Sequence, residues 1–159
     1  MYALLVRLLK SHNLWIALLV TVSCGAVSSC WLPRHTTECR AFYDLSPQQQ
    51  KTKVRASPVK EQLTLYLCEM YQEPPTDYAS DVAEGGEGII PVVLDQLKAE
   101  SGETRQDLLI HIFEELALKG HLRGRRDVAD QLQQLVSAMK DDDIRRRSQR
   151  RLNVIENNL

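Results

Sequence analysis

The residues of this chain whose types and spacing suggest chemistry lie mostly in one predicted helix. Asp107, His111 and Glu115 recur at intervals of four residues within the segment 103–120, which places them on one side of that helix. The HExxH pattern of zinc enzymes is not met, because the second histidine and the intervening glutamate are absent. We therefore expect an exposed polar side with an i,i+4 pair rather than a metal or proton-transfer site.

Other motifs in the sequence do not predict a nucleophile or a ligand-binding loop. No serine or cysteine lies in a GxSxG or comparable setting. The glycine-rich segment 84–88 follows a predicted helix and lacks the Lys-Ser/Thr pair of a phosphate-binding loop, so we interpret it as a turn. The three aspartates at 141–143 lack the alternation and the glycine of an EF-hand loop. We therefore predict no enzyme activity, cofactor, metal site or small-molecule substrate.

Arginines form two clusters in the second half of the chain, and such clusters bind phosphates of nucleic acid or of lipid head groups. No aromatic residues interleave with them for base stacking. The formal net charge of −1, from 20 basic and 21 acidic residues, also argues against a strongly basic nucleic-acid binder. We therefore interpret residues 141–159 as a solvated, partly helical tail, with contact to an anionic membrane surface or an acidic partner as the alternative. The candidate contacts to an anionic partner are Arg123, Arg125, Arg126, Arg145, Arg146 and Arg147.

The amino-terminal segment is predicted to be a signal peptide or a membrane anchor. Arg7 and Lys10 precede residues 14–32, a run of 19 positions without Asp, Glu, Lys or Arg. A short basic region before an apolar run is typical of a secretory signal peptide. At about 1.5 Å per residue the run can also cross the roughly 30 Å hydrocarbon core as a helix. Basic residues are balanced across the run, and we expect the bulk of the chain outside the cytoplasm because an amino-terminal signal normally delivers it there.

Two cysteines in this run resemble the lipobox of bacterial lipoproteins. In that family, small residues precede a cysteine whose sulfur takes a diacylglycerol before a peptidase cuts on its amino side. Cys24 ends the segment VTVSC and precedes Gly25, although Thr21 stands where the family usually has an aliphatic residue. Cys30 ends AVSSC and precedes the bulky Trp31. The resemblance implies lipidation at Cys24 or Cys30, with an uncleaved membrane helix and an ordinary signal peptide as alternatives.

The other two of the four cysteines can pair with each other. Cleavage at Cys30 would leave Cys39 and Cys68 as an even number of thiols in an oxidising compartment. A bridge between them would join the segment before residue 57 to the first main helix and contribute about 3–4 kcal/mol. The alternative is that Cys68 is a small buried apolar residue. There is no CxxC pair to predict a zinc ribbon or a thioredoxin-like site.

Beyond the predicted anchor, apolar residues recur at helical spacing. Ser46-Pro47 and Ser57-Pro58 favour helix starts, since proline suits the first helical position. Further helices are predicted over 76–84, 89–100, 103–120 and about 127–140. No segment combines sustained period-two alternation with turn residues, so we predict an all-α fold. Short loops make consecutive helices antiparallel neighbours.

Residues 89–120 resemble a HEAT-type helical hairpin. Pro91 in the first helix and Arg105 near the start of the second occupy the places of that family's proline and arginine. The resemblance implies a small irregular bundle of antiparallel hairpins, with residues 58–84 as a degenerate preceding unit and residues 127–140 as a capping helix. Repeat architectures need several units to bury a continuous core, so we do not expect a long solenoid.

These observations divide the chain into four parts: a signal peptide or hydrophobic anchor helix (1–32), a tether (33–56), a HEAT-like domain (57–140) and a charged tail (141–159). A core built from about 85 residues is small enough to depend on a disulfide or a partner. The HEAT resemblance implies protein recognition, so our first hypothesis is a membrane-tethered interaction module of the bacterial cell envelope with an unknown protein partner. The alternative is an envelope structural or assembly factor whose basic tail contacts anionic lipid.

Overall fold

Helices account for the regular structure in residues 37–68 and 78–159, the parts of the chain that the computed structural model describes. These residues contain no strand, which confirms the predicted all-α class. The predicted anchor, 1–32, lies outside the described residues. The helices are α1 (Thr37–Tyr43), α2 (Pro47–Ala56), α3 (Val59–Cys68), α4 (Ala79–Ala83), α5 (Ile90–Ala99), α6 (Glu103–Leu118), α7 (Arg126–Ala138) and α8 (Asp142–Glu156), with a 3-10 helix (Gly86–Ile89) before α5.

Helix α2 begins where the sequence supplies a capping box. The Ser46 hydroxyl accepts a hydrogen bond from the Gln49 backbone amide at 3.4 Å. The Gln49 side-chain oxygen accepts one from the Ser46 backbone amide at 2.9 Å. Pro47 occupies the first turn, where its missing amide costs nothing. Ser57 is extended, with ψ 153°, because the residue before a proline is disfavoured in the helical region, and α2 therefore ends there.

Helices α5 and α6 follow one another across a turn of three residues, 100–102. Pro91 lies in the first turn of α5, and Arg105 Nε lies 2.9 Å from the Glu100 carboxylate across the turn. After α6 ends, Gly120 takes φ +79°, a left-handed conformation that favours glycine. The His121 amide then donates to a carbonyl of the last helical turn at 2.9 Å, which closes the carboxyl end of α6.

Helix α6 is the centre of the unit. It packs against α4, α5 and α8. It is buried on several sides, because these neighbours cover them. Its fully buried apolar residues are Leu109, Ile110, Ile112, Phe113 and Leu116. Asp107, which the spacing places on an exposed side, is instead 3% exposed because α8 covers it.

The helical unit begins earlier in the chain than predicted. Most of the predicted tether, 33–56, forms α1 and α2, and Phe42 and Val54 are fully buried. Phe42 packs edge-on against Tyr78 with ring centroids 6.0 Å apart. Gln50 donates to the Phe42 carbonyl at 3.0 Å and accepts from the Tyr78 hydroxyl at 2.6 Å, so its buried amide is satisfied. Removal of these apolar side chains from water explains why the segment folds onto the core.

The unit also ends later than predicted. Within the predicted charged tail, 141–159, helix α8 packs on α6 and α7. Leu152, Ile155 and Ser148 are fully buried on the packed side of α8, at spacings of four and three residues that suit one helical face. One compact unit therefore spans Thr37–Leu159 instead of 57–140.

The turn between α7 and α8 is held by two carboxylates. Glu103, at the start of α6, accepts hydrogen bonds from the backbone amides of Lys140 at 2.7 Å and Asp141 at 2.9 Å. These two amides lower the pKa of the Glu103 carboxyl. Asp141 in turn caps α8 by accepting from the amides of Asp143 and Ile144 at 2.9 and 3.0 Å. The start of α8 is thus fixed by side chains from two elements.

Candidate functional site

The two candidates for lipid attachment, Cys24 and Cys30, lie outside the described residues, as does the uncharged run 14–32. Among the helices of the described ranges, none combines the length and apolar character needed to cross a bilayer. Lipidation or membrane insertion at this end of the chain therefore stays a prediction.

Cys39 and Cys68 form a disulfide in the structure. It joins α1 to the last residue of α3, with Cα atoms 5.4 Å apart and a separation of 29 positions in the sequence. Both cysteines are buried, at 7% and 1% exposure. The Tyr43 hydroxyl donates to the Cys68 carbonyl at 2.5 Å, which gives the same two helices a second contact. The bridge restricts the unfolded chain and stabilises α1 on the rest of the unit.

A buried carboxylate lies where α8 packs on α6. Asp107 Oδ1 accepts from the Ser148 hydroxyl at 2.7 Å, and its Oδ2 lies 2.8 Å from Arg147 Nε. Arg151 Nε lies 3.4 Å from Oδ1. The Asp107 side chain is 4% exposed, and a carboxylate this far from water is stable as an ion only with such partners.

A polar network continues from this carboxylate to α3. Arg151 Nη1 lies 2.6 Å from Glu114 Oε2. His111 Nε2 lies 3.9 Å from the same glutamate, and His111 Nδ1 lies 3.4 Å from the Tyr66 hydroxyl. The Tyr66 hydroxyl donates to a backbone carbonyl of α6 at 3.0 Å. One network therefore connects α3, α6 and α8.

The chemistry of this network is charge compensation between helices. The carboxylates of Asp107 and Glu114 face the guanidinium groups of Arg147 and Arg151. The predicted contact between His111 and Glu115 is present at 4.0 Å. Within residues 37–68 and 78–159, no group of three or more His, Cys, Asp or Glu side chains is arranged to hold a metal ion.

The six arginines predicted to contact an anionic partner are mostly paired with carboxylates of their own unit. The pairs are Arg125–Asp127, Arg126–Asp130, Arg145–Asp142, Arg146–Asp143 and Arg147–Asp107. The hydrogen bond between Arg125 and Asp127 raises the pKa of the arginine and lowers the pKa of the aspartate. Arg123, the sixth, has no ion pair with a carboxylate of the described ranges. The positive charge of the six arginines is therefore largely compensated by neighbouring carboxylates.

A cleft of about 530 Å³, which the sequence did not predict, lies beside α2, α3 and α4. Arg55 Nε and Nη2 lie 2.7 and 2.6 Å from Asp81, which is 6% exposed, and Lys51 Nζ lies 3.7 Å from the same oxygen. Glu84, at the rim, binds Lys119 at 2.7 Å, and this hydrogen bond lowers the pKa of the Glu84 carboxyl. The lining residues are Arg55, Gln62, Asp81, Glu84 and Gly85.

Sequence reasoning missed both buried carboxylates, Asp81 and Asp107. Helical periodicity locates apolar faces, but a polar residue that is buried by a distant helix has no local signal. The sequence did contain one indication of a buried carboxylate, the run of arginines at 145–151. If such a segment packs against the core, its charges need carboxylates to neutralise them.

No protein-family model, curated protein or solved structure matches this chain. Its functional interpretation therefore depends on its own residues and their contacts.

Proposed function

We propose that this chain is a membrane-tethered, non-enzymatic protein-interaction module of the bacterial cell envelope, with its helical unit outside the cytoplasm. The observation that carries the proposal is the disulfide between Cys39 and Cys68. Disulfides persist in oxidising compartments and are rare in the cytosol, so the bridge supports export. The signal or anchor predicted for residues 1–32 supports the same location.

We describe the helical unit as HEAT-like, and two features of its central hairpin support this interpretation. Pro91 lies in the first turn of α5, and Arg105 pairs with Glu100 across the turn into α6. In this reading α8, from the predicted tail, closes the stack together with α7, because α8 lies against the central helix α6 and α7 packs on α8. Stacked hairpins present helix faces and the grooves between them, which suits protein recognition.

A protein partner of this module would be recognised mainly through polar and charged groups. Among the described residues, Leu118 is the large apolar side chain that is exposed, at 56%. Since one exposed leucine does not make an apolar patch, affinity would come from complementary charge and hydrogen bonds.

The alternative, an assembly factor whose basic carboxyl-terminal segment contacts anionic lipid, has less support. Arg145, Arg146 and Arg147 are each paired with a carboxylate. Lipid contact through these groups would have to compete with these ion pairs, of which Arg147–Asp107 also joins α8 to α6.

The proposal is tested by cell fractionation followed by mass spectrometry of the amino terminus. We expect the chain in the membrane fraction, with either a diacylated Cys24 or Cys30 or an intact hydrophobic segment. Cys24→Ser and Cys30→Ser variants then separate the two lipidation sites. Peptide mapping without reductant should recover Cys39 and Cys68 linked. An intact Met1 in the soluble cytoplasmic fraction, with both thiols reduced, would contradict the proposal.

A further inference from the structure

The cleft beside α2, α3 and α4 contains a buried carboxylate with partners on one oxygen only. Asp81 Oδ1 accepts from Arg55 Nε at 2.7 Å, and Arg55 Nη2 and Lys51 Nζ lie 2.6 and 3.7 Å from the same oxygen. No donor of the described residues contacts Oδ2, although the Asp81 side chain is only 6% exposed. Oδ2 is not fully sealed from solvent, and Asp81 lines the cleft. Since buried polar atoms normally have a hydrogen-bond partner, Oδ2 is an acceptor that a ligand can use.

Two other lining side chains also present an oxygen that no donor of the described ranges contacts. Gln62 donates through Nε2 to the Ser57 carbonyl at 2.9 Å, which leaves its Oε1 for a ligand. Glu84 binds Lys119 through Oε1 at 2.7 Å, which leaves its Oε2. Together with Asp81 Oδ2, three side chains therefore offer acceptor atoms in one cleft.

Helix α2 supplies donors and positive charge to the same cleft. Arg55 uses Nε and Nη2 on Asp81, and its Nη1 contacts no acceptor in the part of the chain that the structure describes. The Arg55 side chain is 54% exposed, and that of Lys51, one helical turn earlier, is 52% exposed. Because Asp81 binds one edge of the guanidinium, Arg55 is held in place before a ligand arrives.

The charges of the cleft disfavour a ligand that is only an anion or only a cation. An anion on Arg55 would lie near the carboxylates of Asp81 and Glu84 and would leave Asp81 Oδ2 without a donor. A cation on Oδ2 would lie beside Arg55 and Lys51, which set two positive charges against the one negative charge of Asp81. A ligand with a cationic donor and an anionic acceptor is complementary to both sets of groups.

The size and the lining of the cleft restrict the ligand to a small polar molecule. The volume of about 530 Å³ is within the range of small-molecule sites. None of the described lining residues has an apolar side chain, so an apolar ligand would gain little from binding there. An α-amino acid has its ammonium and its carboxylate on one carbon, so both groups can reach the adjoining Asp81 and Arg55.

We propose that this cleft binds a free α-amino acid with a small or polar side chain. The ammonium donates to Asp81 Oδ2, with Gln62 Oε1 and Glu84 Oε2 as further acceptors. The carboxylate accepts from Arg55, and Lys51 adds positive charge from the same helix. Both sets of contacts are charge-assisted. The inference goes beyond the proposed protein-interaction role and does not depend on the membrane tether.

The test is a titration of the ¹⁵N-labelled full chain in detergent micelles, followed by two-dimensional NMR. Glycine is the probe, because it consists of little more than the two charged ends. We expect saturable shifts of the Arg55 Nε–H, the Gln62 side-chain amide and the Gly85 backbone amide, with a Kd on the order of 1 mM for so small a ligand. Shifts that grow linearly without saturation would overturn the proposal.

Two analogues each remove one charged end of the probe. Glycinamide lacks the carboxylate and N-acetylglycine lacks the ammonium, so each should bind about tenfold or more weakly than glycine. Equal binding of glycine and glycinamide would assign the cleft to the amino terminus of a peptide. Equal binding of glycine and N-acetylglycine would assign it to carboxylates in general. Either result overturns the proposal, as would shifts of the same resonances by N-acetylglucosamine and none by glycine.

A matched pair of arginine variants locates the site. Arg55→Gln should raise the Kd for glycine about tenfold or more, because the carboxylate loses its guanidinium partner. Arg126→Gln removes an exposed arginine that pairs with Asp130 on α7, and it should leave the Kd unchanged. An unchanged Kd in Arg55→Gln, or an equal change in both variants, would contradict the assignment. Circular dichroism checks that each variant is folded, and the analogue series tests the proposal on the wild-type chain if Arg55→Gln is not.

Discussion

Asp107 shows how much one buried side chain contributes to the arrangement of helices. It binds Ser148, which is 41 positions away in the sequence, and it faces two arginines of α8. Replacing an entire buried ion pair with apolar residues is often neutral, whereas removing one partner leaves the others buried and unpaired. Asp107 is therefore a residue whose loss the unit cannot easily compensate.

We predict that Asp107→Asn lowers the free energy of unfolding by on the order of 2 kcal/mol, because Arg147 and the buried Ser148 hydroxyl lose a charged partner while Arg151 keeps Glu114. Urea unfolding followed by circular dichroism measures the change. Asp130→Asn is the matched control, because Asp130 is 67% exposed and its ion pair with Arg126 is long, at 3.8 Å. This substitution should lower the free energy of unfolding by less than about 0.5 kcal/mol. Equal effects of the two substitutions would show that Asp107 is not a structural charge.

Glu103 gives the α7–α8 turn a dependence on pH. Its folded pKa lies below the ordinary 4.5 because two backbone amides donate to the carboxylate. The carboxylate therefore stabilises the fold above about pH 4.5, and this contribution is lost as the pH falls through the lowered folded pKa. We expect the difference in Tm between wild type and Glu103→Gln to be constant from neutral pH down to about pH 5 and to shrink below 4.5. A difference that grows on acidification would contradict this assignment.

At the scale of elements, α8 is the helix whose role depends most on tertiary contacts. Its sequence contains five arginines and two aspartates between positions 142 and 151, a composition typical of a solvated segment. Only Ser148, Leu152 and Ile155 in this helix are buried, at intervals that fit one face. These few buried residues are too short a pattern to predict packing from the sequence. They are nevertheless enough to hold α8 on α6, the helix that contains Asp107.

Substitutions at two adjacent residues of α8 distinguish a packed helix from a solvated tail. Leu152→Ala should lower the free energy of unfolding by about 2–5 kcal/mol, because a fully buried leucine leaves a cavity. Asn153→Ala, at the next position and exposed, should change it by less than about 0.5 kcal/mol. Chemical denaturation of both variants provides the comparison. If neither substitution changes stability, residues 141–159 form the solvated tail that the composition suggests.

At the scale of the whole molecule, the disulfide acts through the unfolded chain. The bridge closes a loop of 29 residues, and its loss should lower the free energy of unfolding by about 3–4 kcal/mol. We expect Cys39→Ser/Cys68→Ser to unfold in one transition when circular dichroism and tyrosine fluorescence are compared, since residues 37–159 form one compact unit. Ser46→Ala, which only removes an exposed cap, is a control with an expected loss of about 1 kcal/mol. Two separate transitions would show that α1 and α2 fold as an independent part.

The sequence by itself determined the all-α class, the approximate span of most helices and several of their ends. These features depend on residues within about four positions of one another, as in the capping box at Ser46 and the left-handed turn at Gly120. Periodicity also located most of the core, because apolar residues at helical spacing are buried wherever a helix packs.

The tertiary structure alone decided where the unit begins and ends and which charges are buried. Arg55 meets Asp81 across 26 positions of the chain, and Ser148 meets Asp107 across 41. Burial depends on the helix that covers a residue, and that helix comes from a distant part of the chain with no fixed spacing. Most of the predicted tether and of the predicted tail therefore forms helices that pack on the core.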